Sequence, residues 1–173
     1  MKCAHRVGAL IAAAAISATG LAVPLAQSAS AAPKPHVICS KIAATTTLDT
    51  ANGTGTTATT WSLCTPTALK AGGSSKVTVP INKLTGNLTS KITWKNGKGT
   101  TTVTMKYVTQ QTKSGCPAGT TYRTKITGVT KASTGVAKTI VKVGEPITAE
   151  VCTKTVTTTK YASSLKPNTK FKF

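Results

Sequence analysis

The sequence predicts a small all-β protein: a single antiparallel β-sandwich or flattened barrel of about eight or nine strands, held by two disulfides. Threonine is abundant along the whole chain, and together with valine and isoleucine it favours strands because branched side chains suit a pleated sheet. Glycine and asparagine interrupt the chain at short intervals, and no apolar repeat of 3.6 residues extends over a helical length. Many short strands separated by turn signals are typical of a sandwich or a barrel.

The N-terminus has the organisation of a cleaved secretory signal peptide. Lys2 and Arg6 provide a basic start, and an apolar run rich in alanine, isoleucine and leucine follows. The run ends at Ala29-Ser30-Ala31, where small residues form a cleavage site. This order of a basic, an apolar and a small-residue region predicts export and removal of residues 1–31.

A retained membrane anchor is the alternative, because the apolar run is nearly long enough to span a bilayer. Gly20, Pro24 and the small residues near the end of the run favour cleavage instead. We therefore predict one all-β domain over residues 32–173, secreted and extracellular or associated with the cell wall. We expect no integral membrane segment after cleavage.

The predicted mature chain is strongly basic. The full chain has a net charge of +19, and after Lys2 and Arg6 are removed 20 basic residues face three acidic ones. Such an excess favours an anionic partner, although lysines on outward strand positions also prevent sheet edges from pairing and keep a protein in solution. Arg123 is the only arginine beyond residue 31. A nearly all-lysine surface argues against sequence-specific nucleic-acid binding, which depends on arginine.

Four cysteines remain after cleavage, and an even count in an exported chain indicates disulfides. Four cysteines allow three connectivities, and we expect the one that closes the most local loops. A zinc site is the alternative, but no C-x-x-C spacing occurs and only His36 is available as a further ligand. We expect no metal and no cofactor. The expected bridges are Cys39–Cys64 and Cys116–Cys152.

The clearest structural unit is a hairpin over residues 88–108. Asn96 and Gly97 both accept the positive φ that a type I′ turn requires, and a two-residue turn fixes the register of the strands. One face is then apolar and includes Trp94 and Tyr107, whereas the other consists of threonine and lysine. The apolar face pairs Leu88 with Met105, Ser90 with Val103 and Ile92 with Thr101, and the opposite face pairs Thr89 with Thr104, Lys91 with Thr102 and Thr93 with Thr100.

Alternation of apolar and polar residues predicts further strands elsewhere in the chain. Asn52-Gly53 predicts a first hairpin that brings Cys39 and Cys64 together, although residues 43–60 are also compatible with a low-complexity, glycosylated loop. Most aromatic residues have inward parity, and Tyr161 is the best candidate for an exposed ring. The expected inward residues outside the 88–108 hairpin are Val77, Val79, Ile81, Tyr122, Thr124, Ile126, Phe171 and Phe173.

Several short motifs carry a resemblance. They are a first cysteine soon after the cleavage site, the hairpin motif Trp94-Lys95-Asn96-Gly97, the turn Gly-Cys-Pro-Ala-Gly at residues 115–119, and a closing Leu-x-Pro-x-Thr-x-Phe-x-Phe at residues 165–173. In these the chain resembles small exported proteins of actinobacteria that have no assigned function. The resemblance implies a disulfide-bearing β-sandwich and brings no catalytic residues or ligand. The high lysine content departs from the more neutral pattern of those proteins.

The residue types that catalysis needs are scarce. His36 and Asp49 are the only histidine and aspartate beyond residue 31, so we do not expect a Ser-His-Asp triad. Composition leaves a Ser–Lys dyad open, but no Ser-x-x-Lys lies in a helical pattern. Glu145 and Glu150, five residues apart on one expected strand, would point to opposite faces, which does not suit a pair of catalytic carboxylates. Charge balance beside Lys142 and Lys154 is their expected role, and we expect no enzyme.

These observations favour a non-enzymatic binding or structural protein of the cell envelope. Its expected partner is an acidic cell-wall polymer or another anionic surface, contacted through the lysine- and threonine-rich strand faces at Lys91, Lys106 and Lys125. The alternative is a secreted effector. That effector would be either an enzyme inhibitor that presents residues 110–119 as a protruding loop or a cationic membrane-active protein.

Overall fold

The structure is a computed structural model that describes residues 36–173, so the predicted signal peptide lies outside the described residues. Strands dominate the described residues, which include one short helix, α1 (Gly135–Ile140), and single 3-10 turns at Thr67–Leu69 and Ile81–Lys83. None of the helices in the described part of the chain is long and apolar enough to cross a membrane. The strands are β1 (Ile38–Asp49), β2 (Thr54–Thr65), β3 (Gly73–Pro80), β4 (Gly86–Trp94), β5 (Thr100–Gln110), β6 (Tyr122–Ser133), β7 (Pro146–Thr157), β8 (Lys160–Leu165) and β9 (Phe171–Lys172).

The strands form a closed antiparallel barrel. Each strand from β1 to β7 pairs with the next along the chain, and β8 returns to pair with β1, where Thr45 lies opposite Ala162. The short strand β9 is added at one end, between β1 and β7. The all-β class, the number of strands and the two disulfides are confirmed. Because the β1–β8 pairing joins the two ends of a single sheet, the molecule is a barrel rather than a sandwich.

Both predicted hairpins are present. Asn96 and Gly97 have φ values of 56° and 64°, and the strands they connect pair in the predicted register at every position from Leu88–Met105 to Thr93–Thr100. Residues 50–53 connect β1 to β2, and Cys39 lies opposite Cys64. The interpretation of residues 43–60 as a low-complexity loop is wrong, because most of them belong to two strands paired along their length.

The two ends of the barrel differ. At the closed end, where β1 begins and β2 ends, aromatic rings fill the interior: the Trp61 and Phe171 centroids lie 5.8 Å apart, those of Trp94 and Phe173 5.7 Å, and those of Phe171 and Phe173 4.8 Å. The indole Nε1 of Trp94 donates a hydrogen bond to Thr101 Oγ1 over 2.8 Å. At the opposite, open end, the connections between strands surround the interior and no such plug is present among the described residues.

The two disulfides connect different parts of the barrel. Cys39–Cys64 joins facing residues of β1 and β2 at the closed end. Cys116–Cys152 ties the connection between β5 and β6 to β7. These are the two expected bridges, and two disulfides are compatible with an extracellular protein.

The barrel wall is interrupted at one place. β3 and β4 are paired at only two positions, Gly73–Trp94 and Ser74–Thr93, although β3 continues to Pro80 and β4 starts at Gly86. We call the unpaired stretch between residues 75–80 and 86–92 the β3–β4 gap. It leaves one edge of each strand without a strand partner in the described structure.

Candidate functional site

The open half of the barrel encloses a cavity of about 560 Å³. All eight barrel strands, β9 and the connection between β3 and β4 contribute to its wall. Its floor is apolar and is formed by buried side chains next to the aromatic plug of the closed end. The floor residues are Ile42, Trp61, Met105, Ile126, Val151 and Phe171.

Hydroxyl groups are added to the aliphatic side chains higher in the wall, which still contains leucine, isoleucine and valine. Thr46 and Thr57 form a hydrogen bond between their hydroxyls over 2.8 Å, and Thr153 and Ser163 form another over 2.7 Å. No charged side chain of residues 36–173 lines the cavity, although 22 residues of the chain are basic. The interior is therefore neutral, with an apolar floor and a hydroxyl-rich upper part.

Two cavity-lining residues have polar atoms without a hydrogen-bond partner among the described residues. They are Ser90 Oγ and Trp61 Nε1, in residues that are only 5% and 2% exposed. Trp94, by contrast, has its indole nitrogen satisfied by Thr101. A buried polar group without a partner costs about 1–3 kcal/mol. A bound molecule that supplies the missing partner recovers part of that free energy.

Three tyrosines lie in the upper wall. The Tyr107 hydroxyl is directed at the sulfur of Met105, 3.8 Å away, and burial raises the pKa of Tyr107 to about 12. The rings of Tyr122 and Tyr161 lie 6.2 Å apart, and burial, followed by the neighbouring Tyr161, raises the pKa of Tyr122. Tyr161 was expected to be the most exposed ring, but it is partly buried because it lines the cavity.

The connection between β3 and β4 forms part of the wall at the open end. Ile81 N–H donates to the carbonyl oxygen of Gly53 over 2.9 Å. Leu84 packs so closely over Gly55 that a Cβ on this glycine would lie 2.5 Å from a Leu84 methyl group. The connection is therefore fixed against the β1–β2 hairpin.

The three lysines expected to bind anions do not lie in the cavity. Lys91, Lys106 and Lys125 are exposed on the outer surface of β4, β5 and β6. Lys125 is directly opposite Glu150 across β6 and β7. None of the three forms an ion pair within the described residues.

The glutamates have structural partners outside the cavity. Glu145 precedes β7 instead of lying on it with Glu150, so the expected arrangement on one strand is wrong. It is 7% exposed, and it bonds to His36 Nδ1 and to the backbone N–H of Lys142. His36, at the start of the described chain, is held by this contact. Glu150 pairs with Arg123 at 3.5 Å and with Lys166 at 3.1 Å, and no ion pair with Lys154 occurs among the described residues.

Asp49 stabilises the turn after β1. The backbone N–H and the side-chain amide of Asn52 donate to its carboxylate over 3.1 and 2.7 Å. These hydrogen bonds, the side-chain one above all, lower the pKa of Asp49. Its role is therefore local and structural.

The connection between β5 and β6 does not extend freely from the barrel. Besides the Cys116–Cys152 bridge, the guanidinium of Arg123 donates to Ser114 O over 3.2 Å, and Thr121 N–H donates to Thr153 O over 2.7 Å. These contacts hold the residues that the inhibitor hypothesis assigned to a protruding loop.

Comparison with models of protein families, with curated proteins and with solved structures finds no match to this chain. The chemistry of the cavity is therefore judged from its own residues. Sequence reasoning placed Tyr122, Thr124 and Ile126 on an inward face correctly but interpreted that face as core. The available signal was the run of inward hydroxyl residues on several strands, which fill space less well than leucine or phenylalanine.

Proposed function

We propose that the protein is a secreted, non-enzymatic binding protein whose barrel takes up a small, largely apolar molecule. The observation that carries this proposal is a neutral cavity of about 560 Å³ inside a strongly basic protein. Small-molecule sites are typically cavities of about 300–1,000 Å³ with mainly apolar walls and a few polar groups. Export is supported by the signal-like residues 1–31, by the two disulfides and by the resemblance to small exported proteins.

The wall indicates which molecule would fit. The apolar floor favours hydrocarbon, each buried methylene contributing about 0.8 kcal/mol. Ser90 and Tyr107 lie in the wall with unsatisfied or weakly satisfied hydroxyls, so they suit one or two oxygen atoms of a ligand. A charged group within this neutral interior would lose its hydration without an ionic partner. Any charge on the ligand therefore belongs outside the cavity.

The same wall supports binding without catalysis. The described part of the chain contributes to it no histidine, carboxylate or lysine that would transfer a proton. Its serines and threonines consequently have no adjacent base to activate them. Hydroxyl groups in such a setting orient a ligand through hydrogen bonds.

The test is a substitution that fills the cavity, compared with a matched substitution on the outer surface. Thr124→Phe adds a ring on the inward face of β6, whereas Thr89→Phe adds the same ring on the exposed face of β4. We expect the neutral fluorophore Nile red to bind the unaltered protein and the T89F variant with similar affinity. The T124F variant should bind at least about tenfold more weakly, because the added ring occupies the site.

Equal binding of Nile red by both variants, or no binding by the unaltered protein, would contradict the proposal. Each variant is first compared with the parent by thermal denaturation. A loss of binding therefore has to occur in a folded protein.

The exposed lysines favour a second candidate, association with an acidic cell-wall polymer. Lys91, Lys106 and Lys125 lie on adjoining outer strand faces and are free of ion pairs within the described residues. When a polyanion is bound through many such contacts, the logarithm of the affinity falls linearly with the logarithm of the salt concentration. The test compares an acidic wall polymer with a neutral glycan at physiological ionic strength and replaces all three lysines with glutamine. Unchanged polymer binding by the triple variant would reject this surface.

A further inference from the structure

Two lysines lie close to the place where the barrel wall stops pairing. Ser74 on β3 lies opposite Thr93 on β4, and Gly73 opposite Trp94. Continued in the same register, the strands would place Lys76 directly opposite Lys91 on the outer surface. Like charges directly opposite each other destabilise a strand pair. The last pair, Ser74–Thr93, therefore lies two positions before the point at which these two ammonium groups would face each other.

The surroundings leave both charges uncompensated. Lys76 pairs across β2 with Ala58, and Lys91 pairs across β5 with Thr102. Both lysines are exposed, and neither forms an ion pair within residues 36–173. An anion at the gap would meet two positive charges and no acidic neighbour on these strands.

The gap also borders the cavity. Ser75 and Val77 flank Lys76 in the sequence and line the cavity, as does Ser90, the neighbour of Lys91. Ser90 contributes the buried hydroxyl that has no partner in the described structure. Because successive residues of a strand point to opposite faces, a neutral interior and a cationic exterior meet along the two unpaired edges.

We propose that the cavity ligand is a single-chain anionic amphiphile whose hydrocarbon chain fills the cavity and whose carboxylate or phosphate head lies at the β3–β4 gap, between Lys76 and Lys91. This inference rests on the proposed function, since it names the ligand class of the same cavity. The head group remains hydrated at the surface, which avoids burying an unpaired charge. The long, flexible lysine stems allow both ammonium groups to approach it.

The experiment measures the affinity of three probes by calorimetry, below the critical micelle concentration. Dodecanoate has the chain and the charge, dodecanol the chain alone, and inorganic phosphate an anionic charge alone. The test variant is Lys76→Gln with Lys91→Gln, and the control is Lys131→Gln with Lys154→Gln, which removes the same net charge from exposed positions on β6 and β7.

We expect the unaltered protein to bind dodecanoate more tightly than dodecanol and to bind inorganic phosphate weakly. The test variant should lose about tenfold in dodecanoate affinity, the effect of two exposed charge contacts, with dodecanol binding unchanged within about twofold. The control should leave both affinities within about twofold. Added salt should weaken dodecanoate binding and not dodecanol binding.

Three outcomes would overturn the inference while leaving the proposed function intact. One is equal affinity for dodecanoate and dodecanol, and another is an equal loss of dodecanoate binding in the test and control variants. The third is a parallel loss of both ligands in the test variant, which would show that the lysines act on the shape of the cavity. Failure of the unaltered protein to bind either chain would instead reject the cavity as a binding site, and this inference with it.

Discussion

The closed and open halves of the barrel use the same eight strands and the same inward–outward alternation, but they contain different inward side chains. In the closed half the inward positions include Ile92, Trp94 and Val103, all 2% exposed or less, and the buried ring of Phe173 follows directly after β9. In the open half the inward positions include Thr57, Thr124 and Tyr161. An eight-stranded barrel is just wide enough for side chains to fill or for one small ligand to occupy. The size of the inward residues therefore decides which of the two occurs.

We expect the closed half of the barrel to determine stability and the open half to determine ligand binding. Aromatic rings are packed and buried at the closed end, whereas the open half leaves apolar surface lining a cavity. Regions with fewer buried apolar contacts open more readily than the core. We therefore expect substitutions at the closed end to change the free energy of unfolding and substitutions at the open end to change ligand affinity.

The largest expected effect is the loss of stability caused by a substitution at the closed end. Trp94→Ala should destabilise the protein by about 3–5 kcal/mol, the range for truncating a large buried aromatic side chain. It removes the contact with Phe173 and leaves the Thr101 hydroxyl without its indole donor. Tyr122→Ala, at the open end, should cost about 1 kcal/mol because the ring already borders empty space.

Denaturant melts of both variants measure this difference, with Lys91→Ala as the exposed control expected to cost under about 0.5 kcal/mol. Similar losses for Trp94→Ala and Tyr122→Ala would show that the two halves contribute equally to stability. A large loss for Lys91→Ala would contradict its assignment to the outer face.

A second, smaller effect concerns alkaline pH. Tyr107 has a pKa of about 12 in the folded protein, raised by burial from the usual value near 10. Between these two values the unfolded chain releases the phenolic proton while the folded protein retains it. Stability is unaffected by this group below about pH 10 and falls as the pH rises towards 12, by about 2–3 kcal/mol in total.

Tyrosinate absorbance during a pH titration checks this shift, because one of the three tyrosines should ionise near pH 12. Tyr107→Phe should remove that step and flatten the corresponding part of the stability profile. Persistence of the late step in the variant would assign it to another tyrosine.

The smallest expected difference in unfolding free energy is between alanine substitutions at two glycines with positive φ. Gly72, next to the closed end, has φ of 79°, and a Cβ there would lie against the backbone of Trp61. Gly53, in the open-end turn, has φ of 62° and nothing within 4 Å of such an atom. Both alanine variants incur the left-handed strain of about 1–2 kcal/mol, but Gly72→Ala should cost about 2 kcal/mol more because of the added steric conflict. Equal unfolding free energies would show that the closed end relaxes as easily as the turn.

Local signals predicted the hairpins well. Asn96-Gly97 set a two-residue turn, and the alternation of the flanking residues agreed with it, so the register from Leu88–Met105 onward followed without tertiary information. The disulfide pairing was accessible for a similar reason, since Cys39 and Cys64 face each other across one such hairpin. Turn chemistry and period-two patterning are properties of short segments, which a sequence displays directly.

Closure of the barrel and formation of its cavity depend on the whole chain rather than on short segments. Alternation is the same in a sandwich and in a barrel, and no residue of β1 or β8 signals that Thr45 will pair with Ala162. An inward threonine such as Thr124 is compatible with a packed core until the diameter of the barrel is known. The gap between β3 and β4 was equally hidden, because the opposition of Lys76 and Lys91 arises only after their strands become neighbours.

The pairing of β1 with β8 also governs when the binding site comes into existence. The residues it joins, 43–47 and 160–164, lie near opposite ends of the barrel sequence. The β1–β2 and β4–β5 hairpins involve local contacts and can form early, whereas contacts between distant segments require loop closure and form slowly. No fragment of the described chain that lacks β8 encloses the cavity. On the proposals of export and ligand binding, a chain that crosses a membrane in an extended state takes up its ligand only afterwards, once the last barrel strand has joined the first.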